Sequence, residues 1–140
     1  MKPIITMNEQ TALLTAVKET GFQFHKNKGG IHAYDIYSPF CFLDGDSICF
    51  YLIFSEDGKF MLTDAGNCLF HLLSMSHRVW SYRKVDAWFR DFFVSEGIYL
   101  NDGELRIGGE ISALGQAFLD MTRAFLVLEM KFIETGWISR

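Results

Sequence analysis

The spacing of apolar residues changes period along the chain, and this change limits the possible folds more than any other feature. Leu13, Leu14 and Val17 recur at helical spacing, whereas Phe22 and Phe24 alternate with polar neighbours. Helical spacing returns after residue 64 and persists through most of the remaining chain. Strands grouped between helical segments are typical of the α+β class. A length of 140 residues predicts one domain over 1–140.

The predicted elements follow from these periods and from the turn residues between them. A helix over about residues 7–20 begins at a capping box, Thr6–Glu9, and ends at Gly21. The elements predicted after it are an antiparallel β-meander with strands near 31–37, 47–54 and 60–62, two helices (one after Asp64 and one over 82–95), a β-hairpin over 98–107, and a long C-terminal helix over about 110–134.

Two strand predictions are more specific. Pro39 has no N–H to donate to a ladder, so the strand before it is expected to end or reach an edge there. Residues 47–54 form a nearly continuous apolar run, which predicts a central strand covered on both faces.

The C-terminal helix carries a narrow apolar seam that includes Phe118, Phe125 and Phe132. Steps of three and four residues of this kind pack lengthwise against another helix. The seam is therefore either central to the core of one chain or shared between the two chains of a homodimer, and the sequence leaves both alternatives open.

The aromatic content leaves two alternatives open. Phe, Tyr and Trp make up 16% of the residues, more than a chain of this size easily buries. The excess either meets a protein partner or a second copy, or forms an aromatic-rich core in a monomer. Trp80, Tyr82 and Trp137 are the candidate contacts with a partner. The net charge of −4 argues against nucleic-acid binding, which requires an excess of Lys and Arg.

The sequence also suggests a compartment. The N-terminus lacks the apolar run of a signal peptide, and no stretch is expected to reach the roughly 20 apolar residues of a membrane span. Cys41, Cys49 and Cys68 are odd in number and lie among apolar residues, which predicts buried free thiols. These features predict a cytoplasmic protein.

Three carboxylates form the candidate metal site. Asp44 and Asp46 share one turn, and Asp64 follows the third strand, so a meander brings all three towards one end of the sheet. Carboxylate oxygens suit Mg²⁺, and Lys59 could assist hydrolysis of a phosphodiester. The simpler interpretation is that Asp-Gly-Asp is turn chemistry and that Asp64 caps a helix. Zinc binding by Cys68 and His71 is disfavoured because no second ligand pair matches their spacing.

An ordered set of motifs resembles a known family. These motifs are Ile36–Phe40, Asp44–Asp46, Asp57–Lys59 and Leu62–Gly66, and the similarity extends over about residues 31–134. The set resembles a family of small bacterial and prophage proteins that is classed only as a domain of unknown function. The resemblance implies a bacterial or phage setting and transfers no activity. Ala65 departs from the second acidic residue expected after Thr-Asp.

Two functions are consistent with these observations. The first is a protein-binding protein that is not an enzyme and needs no cofactor, in its most concrete form an inhibitor of a bacterial defence system such as an anti-CRISPR protein. The second is a metal-dependent phosphodiesterase that uses Asp44, Asp46 and Asp64. The sequence identifies neither the partner nor the oligomeric state.

Overall fold

The computed structural model describes residues 8–27, 33–55, 57–76 and 82–138. Helix α1 spans Glu9–Thr20 and ends at Gly21, which takes the predicted left-handed conformation with φ of 77°. Its N-cap is Asn8, whose side chain accepts a hydrogen bond of 2.7 Å from the backbone N–H of Thr11. The helix thus begins with an Asn cap, and Thr6 of the predicted capping box lies outside the described residues.

The six strands form one antiparallel sheet. They are β1 (Gln23–Lys26), β2 (Ala33–Cys41), β3 (Ser47–Phe54), β4 (Lys59–Thr63), β5 (Tyr99–Asn101) and β6 (Glu104–Glu110), in the spatial order β1-β2-β3-β4-β6-β5. The predicted meander and hairpin are both present, and the hairpin joins the sheet because β6 pairs with β4. Strand β6 pairs with β5 through Glu104–Arg106 and with all five residues of β4 through Arg106–Glu110.

The helices complete an α+β fold in the predicted order. Helix α2 spans Asn67–Ser74, α3 spans Tyr82–Ser95, and α4 spans Leu114–Glu134 after a short 3₁₀ turn over Ile111–Ala113. The bounds of α3 and β3 coincide with those predicted from apolar spacing.

One of the two specific strand predictions is confirmed and the other was wrong. Strand β2 continues through Pro39 to Cys41, but β1 pairs with it only as far as Tyr37, so β2 has reached an edge at Pro39 as predicted. Its pairing with β3 is irregular between Tyr37 and Cys41, so no regular ladder bond is needed from Pro39. Strand β3 is covered on one face only, since Ile53 on its other face is exposed. The open face carries Cys49, Tyr51 and Ile53, so the apolar run in the sequence looks like that of a strand buried on both faces.

The core lies between the sheet and the helices. Alternate strand residues point into it, and the fully buried ones include Ile36, Ile48, Phe50, Leu52, Leu62 and Leu105. Helices α1 and α4 contact each other, and α4 also contacts strands β2, β4 and β6. Among the described residues, no helix covers the opposite face of the sheet.

The seam of α4 packs within the chain. Phe118, Phe125 and Phe132 are each buried, and Phe118 stacks on Phe22 with ring centroids 5.3 Å apart. A second copy could not reach these rings without opening the core, so the proposed dimer seam is corrected to a core seam. The alternative that the sequence left open, a helix central to one core, accounts for the spacing.

One segment contradicts the expectation about membrane spans. The segment Ile111–Glu134 is long and apolar enough to cross a membrane by length and composition, although half of its most apolar 18-residue stretch is buried inside the chain. The core helix of a soluble protein meets the same criterion.

The prediction of three buried thiols holds only in part, since Cys68 is buried, Cys49 is half-buried and Cys41 is exposed.

Candidate functional site

The Thr63–Gly66 turn joins β4 to α2 and surrounds a fully buried carboxylate. Asp64 Oδ1 accepts hydrogen bonds from the backbone N–H groups of Gly66 (2.9 Å) and Leu105 (2.8 Å), and Oδ2 accepts one from Cys68 (3.1 Å). Ala65 and Gly66 both have positive φ, which makes the reversal tight. Asp64 therefore ties the turn, the first turn of α2 and strand β6 together.

This arrangement removes Asp64 from the candidate metal site. Its two oxygens are occupied by backbone donors, and burial raises the pKa of Asp64 although those donors favour the anion. The group of possible metal ligands found among the described residues does not include Asp64. The expectation that three aspartates converge on one ion is wrong because the Asp64 side chain points into the core.

Asp44 and Asp46 meet His71 instead. The Nε2 atom of His71 lies 3.0 Å from Oδ2 of Asp44, and its Nδ1 atom lies 3.2 Å from Oδ2 of Asp46. One ligand atom from each of the three residues falls within 4.8 Å of the others. Phe42 stacks on the imidazole, with centroids 4.3 Å apart, and fixes the plane of the ring. Cys68, the zinc partner that spacing suggests for His71, is buried in the core.

A buried glutamate supports this cluster from helix α4. Glu129 is 2% exposed, and both of its carboxylate oxygens lie 3.1 Å from the backbone N of Leu43, the residue before Asp44. Burial raises the pKa of Glu129, the neighbouring Asp44 raises it further, and the Leu43 N–H and His71 oppose the shift. Glu129 thus holds the turn between β2 and β3 against α4.

Lys59 lies away from this cluster. It begins β4 at the end of β3 remote from Asp46, and β3 has eight residues, or about 26 Å of strand. The arrangement expected of a phosphodiesterase, with Lys59 beside the acidic ligands, is therefore not assembled.

The open face of the sheet carries a trough of about 950 Å³. The pairing register aligns Ile53, Met61 and Gly108 across three strands, and Gly108 contributes no side chain to that row. Tyr99, which is 61% exposed, and Arg106 stand beside it on the neighbouring row. Gly108 ends this row without a side chain, because β5 pairs only with Glu104–Arg106, and the trough includes the space that it leaves.

Arg106 is held in place at the edge of the trough. Its Nη2 atom lies 2.9 Å from Oε1 of Glu104, and the Thr63 hydroxyl donates to the other oxygen of the same carboxylate. The Arg106 guanidinium holds the pKa of Glu104 below its ordinary value, and the Thr63 hydroxyl adds to this effect. Polar groups of fixed orientation therefore border an apolar floor.

The predicted aromatic contacts are placed differently. Trp137 is 4% exposed and packs against both Phe132 and Trp88. It therefore belongs to the core, and its prediction as a contact with a partner is wrong. Trp88 stacks on it at 4.7 Å and is itself 52% exposed. Trp80 and the side chain of Tyr82 lie outside the described residues.

Sequence reasoning missed three residues that organise the site. Glu129 and Asp86 each place a buried carboxylate on a turn, since Asp86 accepts hydrogen bonds from the backbone N–H groups of Asp102 and Gly103. Their signal was an acidic residue inside an apolar helical stripe. The third residue is Gly108, and no feature of the sequence alone marks it as the floor of a trough.

The comparisons with known proteins give a family and no activity. The family described as Domain of unknown function DUF1828 matches residues 38–127, more than half of the chain. The chain belongs to this family. The matched region of this DUF1828 member runs from β2 into α4 and contains the Asp44, Asp46 and His71 cluster, the Thr63–Gly66 turn and the trough. No curated protein and no solved structure matches the chain.

Proposed function

We propose that this protein binds another bacterial protein through the open face of its sheet. The observation that carries the proposal is the trough formed where Ile53, Met61 and Gly108 align across β3, β4 and β6. A side chain of a partner that enters the trough would bury apolar surface, the main favourable contribution to most protein association.

The composition of this face supports a protein as the ligand. Interface centres are enriched in Tyr, Met and Arg, and Tyr99, Met61 and Arg106 all border the trough. Lys59 stands at the rim with the ion pair between Arg106 and Glu104. This mixture of cations and anions suits the polar rim of a protein interface better than the uniform positive surface that nucleic acid requires.

The finer proposal is that the partner belongs to a bacterial defence system, so that the protein acts as an anti-CRISPR-like inhibitor in the cytoplasm. The small size, the acidic charge and the exposed aromatic residues support it, together with the resemblance of the motifs to prophage proteins. Binding alone would suffice for this activity, without a cofactor.

Filling the trough is expected to abolish capture of the partner without unfolding the protein. In Gly108→Leu the new Cβ would lie 3.5 Å from the carbonyl oxygen of Phe60, an ordinary contact, and φ at Gly108 is outside the left-handed region. Tagged wild-type protein, Gly108→Leu and the control Gln10→Leu on exposed α1 would be compared by affinity capture from bacterial lysate and mass spectrometry. We expect at least tenfold less partner with Gly108→Leu, which corresponds to about 1.4 kcal/mol, and no change with Gln10→Leu.

The same experiment distinguishes binding at the trough from inhibition of a defence system. A partner captured equally by all three proteins would contradict binding at the trough. A partner that depends on Gly108 but takes no part in defence would support the binding function and contradict the inhibitor. Unchanged thermal unfolding of Gly108→Leu is required for either conclusion.

A further inference from the structure

We propose that Asp44, Asp46 and His71 bind a divalent transition-metal ion, such as Zn²⁺ or Mn²⁺, at the turn between β2 and β3. The site is separate from the trough, and it differs from the Mg²⁺ site that the sequence suggested. His71 of α2 replaces Asp64 as the third ligand.

The donor set decides the class of metal. Two carboxylates and one imidazole suit Zn²⁺, Mn²⁺ and related ions, whereas Mg²⁺ prefers oxygen ligands and keeps several waters. Donors that share an ion at about 2.1 Å lie no more than about 4.2 Å apart. The ligand atoms of Asp44, Asp46 and His71 lie within 4.8 Å of one another. One ion binds one ring nitrogen, and Asp44 lies at Nε2 whereas Asp46 lies at Nδ1, so an ion at Nε2 requires the exposed Asp46 side chain to turn towards Asp44.

The buried ring nitrogen of His71 also supports a metal ion at this site. Its Nε2 atom is buried and makes no hydrogen bond with the described residues. It lies 3.0 Å from Oδ2 of Asp44, but their relative orientation is not that of a hydrogen bond. A buried nitrogen of this kind is costly unless it has a partner, and a metal ion would provide one.

The buried carboxylate of Glu129 on α4 supports the metal site independently of the β2–β3 turn and α2. Its carboxylate is buried beside Asp44 and His71, and the hydrogen bond that it accepts among the described residues comes from the N–H of Leu43. No Lys or Arg in the part of the chain that the structure describes forms an ion pair with Glu129, Asp44 or Asp46. Three carboxylates around a single imidazole leave an excess of negative charge, which a divalent cation would neutralise.

The turn is built to hold its ligands in place. The carboxylate of Asp44 accepts a hydrogen bond of 3.0 Å from the backbone N–H of Asp46, and Phe42, which stacks on the imidazole, also stacks on Phe125 of the core. Phe42 and Glu129 therefore position the ligands without binding the ion, as supporting residues do around many metal sites.

The test is metal-dependent stability of the full chain. Chelator-treated protein would be titrated with Zn²⁺, Mn²⁺ and Mg²⁺, followed by thermal unfolding and by equilibrium dialysis for stoichiometry. We expect one ion per chain and a rise in Tm of about 10 °C at a metal concentration of 100 Kd. Mg²⁺ is expected to give a smaller shift.

Two variants and one control make the result specific. The side chain of Asp46 is 67% exposed, so Asp46→Asn should fold normally and lose the metal-dependent shift. His71→Gln should lose it as well, whereas Asp57→Asn, an acidic residue in the exposed hairpin at the other end of β3, should keep it.

Several outcomes would overturn the site. They are the absence of any shift with Zn²⁺ or Mn²⁺, an equal shift in Asp46→Asn and His71→Gln, and a shift that disappears only with Cys41→Ser, which would place the ion at the exposed thiol. A response to Mg²⁺ as strong as that to Zn²⁺ or Mn²⁺ would overturn the class of metal.

Discussion

Replacing Phe125 with alanine is expected to lower the free energy of unfolding by about 3–5 kcal/mol. The ring is almost completely buried and packs against Phe42 at 5.9 Å and Phe50 at 6.2 Å, so its removal leaves a cavity between helix α4 and the sheet. Chemical denaturation with matched m-values would measure the loss. Leu119→Ala, at an exposed position of the same helix, should change stability by less than about 0.5 kcal/mol.

The same variants test the alternative of a dimer seam. If α4 joined two chains through Phe118, Phe125 and Phe132, Phe125→Ala would convert a dimer into a folded monomer in sedimentation. The structure predicts a destabilised protein whose mass is unchanged while it remains folded. A stable monomer formed from a dimeric wild type would contradict the burial of these rings in one chain.

Asp64→Ala is expected to cost about 4 kcal/mol and Asp64→Asn about 2 kcal/mol. Alanine would leave the buried N–H groups of Cys68 and Leu105 and the partly buried N–H of Gly66 without their acceptor. Asparagine keeps one acceptor oxygen but would place its own N–H₂ group against one of these donors. Thermal and chemical denaturation would measure both costs, with Asp57→Asn as the exposed control.

The Asn variant distinguishes the two interpretations of Asp64. Asparagine caps helices about as well as aspartate, so an ordinary helix cap predicts almost no change. The structure predicts a clear loss because both oxygens of Asp64 accept hydrogen bonds. Wild-type stability in Asp64→Asn would therefore contradict its role as the buried connection between the Thr63–Gly66 turn and β6.

Much of the fold could be predicted because local spacing is strong. The stripe of α3 and the apolar run of β3 fixed the bounds of both elements. The pairing of β4 with β6 could not be predicted, because it joins residues far apart in the chain and only the packed sheet decides it. Strand β2 passes through Pro39 where an irregular register removes the need for its missing N–H.

The candidate site was predictable only in part. The turn residues Asp44 and Asp46 followed from the sequence, but the identity of their neighbour depends on how α2 is rotated on the sheet, and it is His71 that faces them. The choice between Trp88 and Trp137 as the exposed aromatic also depends on packing, since the two rings stack and only one can cover the other. The apolar residues of β3 on the open face are indistinguishable in the sequence from those of a strand buried on both faces, because only the packed sheet shows which face the helices cover.

The central claim is that the open face of the sheet meets a protein partner. The most direct test is site-specific photo-crosslinking in bacterial cells, with a benzophenone amino acid placed at Met61 in the trough, at Gln10 on α1, or at Trp88 on α3. We expect a covalent adduct with one protein from Met61 and none from Gln10 or Trp88. An adduct from Gln10 or Trp88 without one from Met61 would contradict the claim and place the interface on the helical side of the molecule.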